Sequence, residues 1–140
     1  MSELQGDSSA PILLVINRFR VASDQSASFA EDARLALATL AGSVGFIDGA
    51  IAQATDETDL RLVTTRWKDV GSYRRALSRF EVKVSAVPLL SQAIDESSAF
   101  EAVHMISDGE TITVASGRAA DADVIGLGRA SAARVPPVQL

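Results

Sequence analysis

The chain has no cysteine, which excludes a disulfide framework, a thiolate nucleophile and a zinc-finger ligand set. It has one histidine, His104, too few for an imidazole-rich metal site. Net positive charge is missing as well. With a formal charge of -5 and a pI near 4.8, the protein lacks the basic face a nucleic-acid binder needs to displace counterions. No apolar run approaches the ~18 residues of a membrane span, and the opening MSELQGDSSA lacks the basic flank and apolar core of a secretory signal. Aromatic residues make up only 5% of the 140, with a single Trp and a single Tyr. The 47% hydrophobic content therefore has to build one modest core, mainly from Ala, Val, Leu and Ile. These absences imply a protein with no nucleic-acid or membrane partner, and the lack of cysteine fits a cytoplasmic location.

PILLVINRFRV, residues 11–21, has the length and Val/Ile content of a strand. Leu13, Val15, Phe19 and Val21 alternate onto one face; Ile12, Leu14 and Ile16 fall on the other. Asn17 is the polar exception, and a polar group in an apolar strand must be satisfied or face a cavity. Phe29, Ala33, Leu37 and Leu40 then recur at helical spacing, with Ser23 or Asp24 as the expected cap and Gly42 as the stop. VGFIDGAIAQA, residues 44–54, alternates again, which places Phe46, Asp48, Ala50 and Ala52 on one face and Ile47, Gly49 and Ile51 on the other. The polar ATDETDL leads into DLRLVTTRW, giving a hairpin.

Asp69 is placed to cap a second helix that starts near Val70. Tyr73, Ala76, Leu77, Phe80 and Val84 would share one side of it, with a kink or stop at Pro88. Arg74, Arg75 and Arg79 form a solvated stripe beside Glu81 more readily than an anion site. SSAFEAVHMI, residues 97–106, is a fourth strand. The order β-α-β-β-α-β is the ferredoxin-like unit of an α+β protein. Residues 1–10 read as a flexible lead-in and 11–106 as the domain. Residues 107–140 read as a Gly/Ala/Asp-rich extension, an extra hairpin or an arm on a partner subunit. Asp108, Glu110, Asp121 and Asp123 sit there as solvated acids rather than metal ligands.

Both helices of such a unit lie on one sheet face. The other face, apolar along the first strand and at Ile47 and Ile51, needs a cover. A second copy is the simplest one, closing a homodimeric α/β barrel.

The run to Asn17, the GF of VGFIDG, WKDVGSY at 67–73 and SRF at 78–80 occur in an order that resembles the antibiotic biosynthesis monooxygenase family of the dimeric α/β-barrel superfamily, over residues 11–106. The family includes cofactor-free oxygenases that turn polyketide phenols into quinones, quinol monooxygenases and haem-degrading enzymes. In the cofactor-free branch the resemblance implies a pocket at Trp67 and Tyr73, which keep its W-x5-Y spacing. Its pocket Asn, Tyr and Arg positions hold Val63, Ile51 and Val87 here. In the haem-degrading branch Asn17 matches, but Ala76 and Ser85 replace the Trp and the axial His, so the iron would lack its usual ligand. His104 lies in another element, as a strand or interface residue.

The resemblance thus implies a monooxygenase-like protein without a cofactor or metal, acting on an aromatic or polyketide-type small molecule. Tyr73 and Asn17 would be its catalytic residues; Trp67, Phe80, Val63 and Ile51 would contact the substrate. The alternatives are a non-catalytic dimeric barrel that holds a small apolar or aromatic molecule, and a haem-binding protein. Trp67 reads as core more readily than as a stacking wall. Tyr73 is open between chemistry and structure, since a buried hydroxyl needs a partner either way. No base with a near-neutral pKa accompanies these residues, because Tyr ordinarily titrates near 10.

Overall fold

The computed structural model describes residues 10–114. These fall into two units: one spans Ala10–Ala102, and the remaining described residues, 103–114, belong to the other. The lead-in before residue 10, and the extension beyond 114 with Asp121 and Asp123, lie outside the described residues.

In the larger unit, β1 (Leu13–Arg20) alternates between buried and half-buried positions up to the exposed Arg20, as the sequence pattern dictates. A 3-10 turn (Ser23–Gln25) precedes α1 (Ser26–Ala41). Neither Ser23 nor Asp24 caps that helix. Both are used in the extra turn, and Gln25 holds the cap position without a side-chain bond. Phe29, Ala33, Ala36 and Leu40 form the buried stripe of α1, and Gly42 ends it. The hairpin β2 (Phe46–Gln53) and β3 (Leu60–Trp67) follows. Next come α2 (Val70–Leu77), α3 (Phe80–Ser85), α4 (Val87–Leu90) and the short β4 (Ala99–Glu101). The sheet is antiparallel in the order β2-β3-β1-β4. Its central strands are the first and third in sequence, the ferredoxin-like arrangement.

The other unit holds β5 (His104–Ser107) and β6 (Glu110–Thr113), an antiparallel hairpin. Asp108 and Gly109 join them, both at positive φ (51° and 79°), the two-residue turn that Asp-Gly favours. The expected fourth strand over 97–106 is thus divided. Its first part pairs with β1, and its second turns back on residues 110–113, which carries His104 out of the four-stranded sheet.

Two further expectations fail for physical reasons. The first is the simple alternation of β2. Phe46 stands opposite Trp67, yet Asp48 stands opposite Arg66, so Ile47 is an extra residue, a β-bulge. Beyond it the faces exchange. Ile51 pairs with the buried Val63 and packs on the core together with Phe46, so it is not part of the apolar outer face. The second is a continuous helix through Val84. Arg79 is extended (φ -67°, ψ 140°) and turns its guanidinium onto the Thr39 carbonyl (3.2 Å) and the Ser43 hydroxyl at the end of α1. That cation adds a second donor to a last-turn carbonyl that also accepts from the Gly42 N–H at 3.2 Å, and it sits at the negative end of the helix dipole. The helix restarts at Phe80 in a new phase, with Val82, Ala86 and Leu89 buried.

Candidate functional site

The strand register places the expected site residues in rows on the helix-covered side of the sheet. One row crosses Asn17, Val63 and Ile51; another crosses Leu13, Trp67 and Phe46. Between them lie Val15 and Thr65. Tyr73 enters from α2, and the start of that helix is set by Asp69. The Asp69 carboxylate accepts hydrogen bonds from the backbone N–H and the hydroxyl of Ser72, both at 2.8 Å, and these bonds hold its pKa below the usual carboxylate value. The cap expected at Asp69 is therefore present.

Trp67 is a plug. Its side chain is 0% exposed. The Phe46 ring stands edge-on to it at 5.3 Å and the Tyr73 ring tilts against it at 5.4 Å, separations typical of favourable aromatic pairs. Its indole N–H donates to the Thr65 hydroxyl at 2.8 Å, so the polar atom is satisfied internally. Of its two readings, core packing accounts for every contact the ring makes.

Asn17 and Tyr73 form the polar part of the arrangement. Asn17 is 8% exposed, an amide on the same sheet face as Val15, Val63 and Phe19, and it lies near enough to the Tyr73 hydroxyl to act on its pKa. Burial raises the Tyr73 pKa, and the hydrogen bond with Asn17 offsets this only in part. The phenol is therefore protonated at neutral pH and serves as a hydrogen-bond donor rather than a base. Val63 is fully buried between Asn17 and Ile51. Val87 packs against the same core from the first turn of α4. Apolar side chains thus stand where the resemblance would have polar ones.

Phe80 does not join this cluster. It is 76% exposed, and Val84, one turn on, is 58% exposed; both follow from the break at Arg79. Ala76 is buried and Ser85 lies at the end of α3. His104, in the hairpin unit, bonds the Thr113 hydroxyl through Nδ1 at 2.7 Å. Among the described residues no group of three or more His, Asp or Glu could hold a metal ion, and no helix is long and apolar enough to cross a membrane.

A cleft of about 380 Å³ opens on the same side of the sheet, at the other end of β1. Phe19, Val21, Phe29 and Leu89 form its apolar wall, and Arg20, Gln25, Ser28, Asp32 and Gln92 its polar rim. None of the six expected site residues lines it. The sequence did carry a signal for it: Gln25, Ser28 and Asp32 recur at three and four, which puts a polar stripe beside Phe29 on the helix that follows the first strand.

Comparison with known proteins agrees with the fold. Residues 12–84, just over half of the chain, match the family model of antibiotic biosynthesis monooxygenases. Solved structures share the fold. SnoaB, a cofactor-independent oxygenase from Streptomyces nogalater, superposes with a TM-score of 0.59 at 24% identity, covering 72% of this chain and 100% of that one. A conserved protein from Methanosarcina mazei Go1 gives 0.58 at 20%, covering 70% and 98%. A conserved protein of unknown function from Bacteroides thetaiotaomicron VPI-5482 gives 0.57 at 15%, covering 67% and 99%. At these identities the likeness is one of fold. No curated protein matches the sequence.

Proposed function

The chain belongs to the antibiotic biosynthesis monooxygenase family, and from that premise we propose that it is a cofactor-independent monooxygenase acting on a hydroxylated aromatic small molecule. One observation carries this reading: a buried amide, Asn17, lies near the phenol of Tyr73 on a sheet face whose other buried polar group, the Thr65 hydroxyl, is taken by Trp67. Without a cofactor the substrate must supply the electrons. A phenol loses its O–H proton, and the ring anion reduces dioxygen and bonds to it at a ring carbon. Loss of water, with the hydrogen of that carbon, then leaves a quinone. The sum is phenol plus O2 giving quinone plus water, with one oxygen atom in each product.

The protonated Tyr73 would donate to the substrate oxyanion and Asn17 would hold the same oxygen, while Val63 and Ile51 would exclude water. Among the described residues no neighbouring group serves as a base, so acidic phenols are the favoured substrates. The test is oxygen uptake with a panel of dihydroxyaromatics. Turnover that falls at least about tenfold in Tyr73→Phe supports the role of the donor; unchanged turnover removes Tyr73 from the mechanism. A second reading, a binding protein without turnover, is favoured by the sealing of Trp67, and absence of oxygen uptake with every compound would support it.

The proposal includes a homodimer. The outer sheet face carries Leu14, Ile16, Leu62 and Phe100, the last 46% exposed. It is flanked by the ion pairs Arg66–Asp48 at 2.6 Å and Arg18–Glu96 at 2.7 Å. An apolar centre with a charged border has the anatomy of an interface, and a second copy of this face is the occupant proposed.

A further inference from the structure

The cleft at the end of β1 is separate from the Asn17–Tyr73 pair and is built like a small-molecule site. Its volume of about 380 Å³ lies near the lower end of the range of roughly 300–1,000 Å³ typical of such sites. That is room for one substituted ring rather than a polycyclic skeleton. The apolar part of its lining is the margin of the core: the Phe19 and Phe29 rings pack at 5.1 Å with a 59° tilt and are 2% and 8% exposed, so a small part of each meets the cleft, and Leu89 lies on the side formed by α4. These side chains are already ordered by the core, so a ring laid on them costs little reorganisation.

The charges on the rim decide the class of guest. Two charged residues line the cleft, Arg20 and Asp32. The Arg20 guanidinium is held by Glu57 at 2.8 Å and by Asp59 at 3.2 Å, so two carboxylates more than neutralise it. Arg61, opposite Phe19 in the sheet, is turned onto the Thr58 carbonyl (3.0 Å) and the Ser26 hydroxyl (3.2 Å) and does not line the cleft. Asp32 is in no salt bridge among the described residues. It projects from the second turn of α1 beside Gln25, Ser28 and Gln92, neutral groups that both donate and accept hydrogen bonds. An apolar lining beneath one uncompensated carboxylate suits a cation carried on a ring.

We propose that this cleft binds a small aromatic amine, its ring on Phe19, Phe29 and Leu89 and its ammonium group at Asp32. The site does not depend on whether Tyr73 takes part in oxygenation. Its test is a titration of the isotopically labelled full-length chain at neutral pH, followed by amide chemical shifts at millimolar ligand. Three matched probes are used: 2-phenylethylamine, 2-phenylethanol and 3-phenylpropionate. The expected result is tightest binding of the amine, with shift changes concentrated in residues 19–32 and 89–92.

Asp32→Asn should weaken the amine about three- to fivefold, as an exposed charge pair allows, and leave the alcohol unchanged. Ser28→Trp should abolish binding of all three. Shift changes located elsewhere, or none at all, would overturn the site. An alcohol or carboxylate that binds as tightly as the amine, or an Asp32→Asn variant that binds the amine as wild type does, would overturn the assignment of the ligand class. The wild-type shift map and the probe series answer both questions even if a variant does not fold.

Discussion

Removing the Tyr73 hydroxyl and the Asn17 amide, singly and together, tests the pairing that the proposed chemistry needs. Asn17 is 8% exposed on the face that carries Val15, Val63 and Phe19; if the Tyr73 hydroxyl is its partner, Tyr73→Phe leaves the amide unsatisfied. An unsatisfied buried polar group costs about 1–3 kcal/mol. Asn17→Leu removes the amide and keeps most of the volume. The Tyr73 hydroxyl it leaves behind is on a half-buried side chain and can turn towards water, so this change should cost about 1 kcal/mol or less. In the double variant two apolar side chains meet and neither penalty applies in full. The double variant should therefore be about 1–2 kcal/mol more stable than the sum of the single effects predicts.

Urea denaturation of the four proteins at pH 7 measures this directly. A coupling within about 0.5 kcal/mol of zero, the range expected of independent sites, would show that the two groups do not depend on each other. The alkaline limb gives a second reading. Burial raises the Tyr73 pKa above its ordinary value of 10.0, so the native state holds this proton more tightly than the unfolded chain does. The corresponding stability is complete below pH 10 and is lost as pH rises through the folded pKa. Tyr73→Phe should lack that component, and its stability should fall less steeply above pH 10 than that of wild type. Equal slopes would contradict the assigned direction.

Two further outcomes are expected. Gly45 sits at φ +92°, and a Cβ there would lie 2.3 Å from the Ser72 hydroxyl and 2.4 Å from its Cβ. Gly45→Ala should cost about 3 kcal/mol or more, from backbone strain and overpacking; thermal unfolding that shows partial rescue by Ser72→Gly would identify the clash as the cause, and a near-neutral Gly45→Ala would refute it. On the outer sheet face, Ile16→Glu should turn the proposed dimer into monomers in sedimentation while the fold persists. An unchanged sedimentation coefficient would exclude this face as the interface.

The α+β order, the cap at Asp69 and the hairpin of β2 with β3 were legible because each is a local pattern: period 2, period 3.6, or an acid just before a helix. The alternation of β2 misled because a bulge inserts one residue without a composition mark, and Ile47 looks like any strand isoleucine. Phe80 misled for a related reason. Its helical spacing from Tyr73 and Ala76 is correct, but Arg79 is drawn out of the helix by the carbonyl of Thr39, a residue remote in sequence. His104 was assigned to the fourth strand because the turn at Asp108–Gly109 lies beyond that strand's expected end.

By itself the sequence determined the order of strands and helices, and which polar residues, Asn17 and Tyr73 among them, must find partners in a small core. Only the tertiary structure decided that Trp67 is sealed between Phe46 and Tyr73, that Phe80 faces solvent, and that an open cleft lies at Phe19 and Phe29. Periodicity records which way a side chain points from its own backbone. Whether the space it points into is filled depends on neighbours brought together from distant parts of the chain, and no local pattern encodes them.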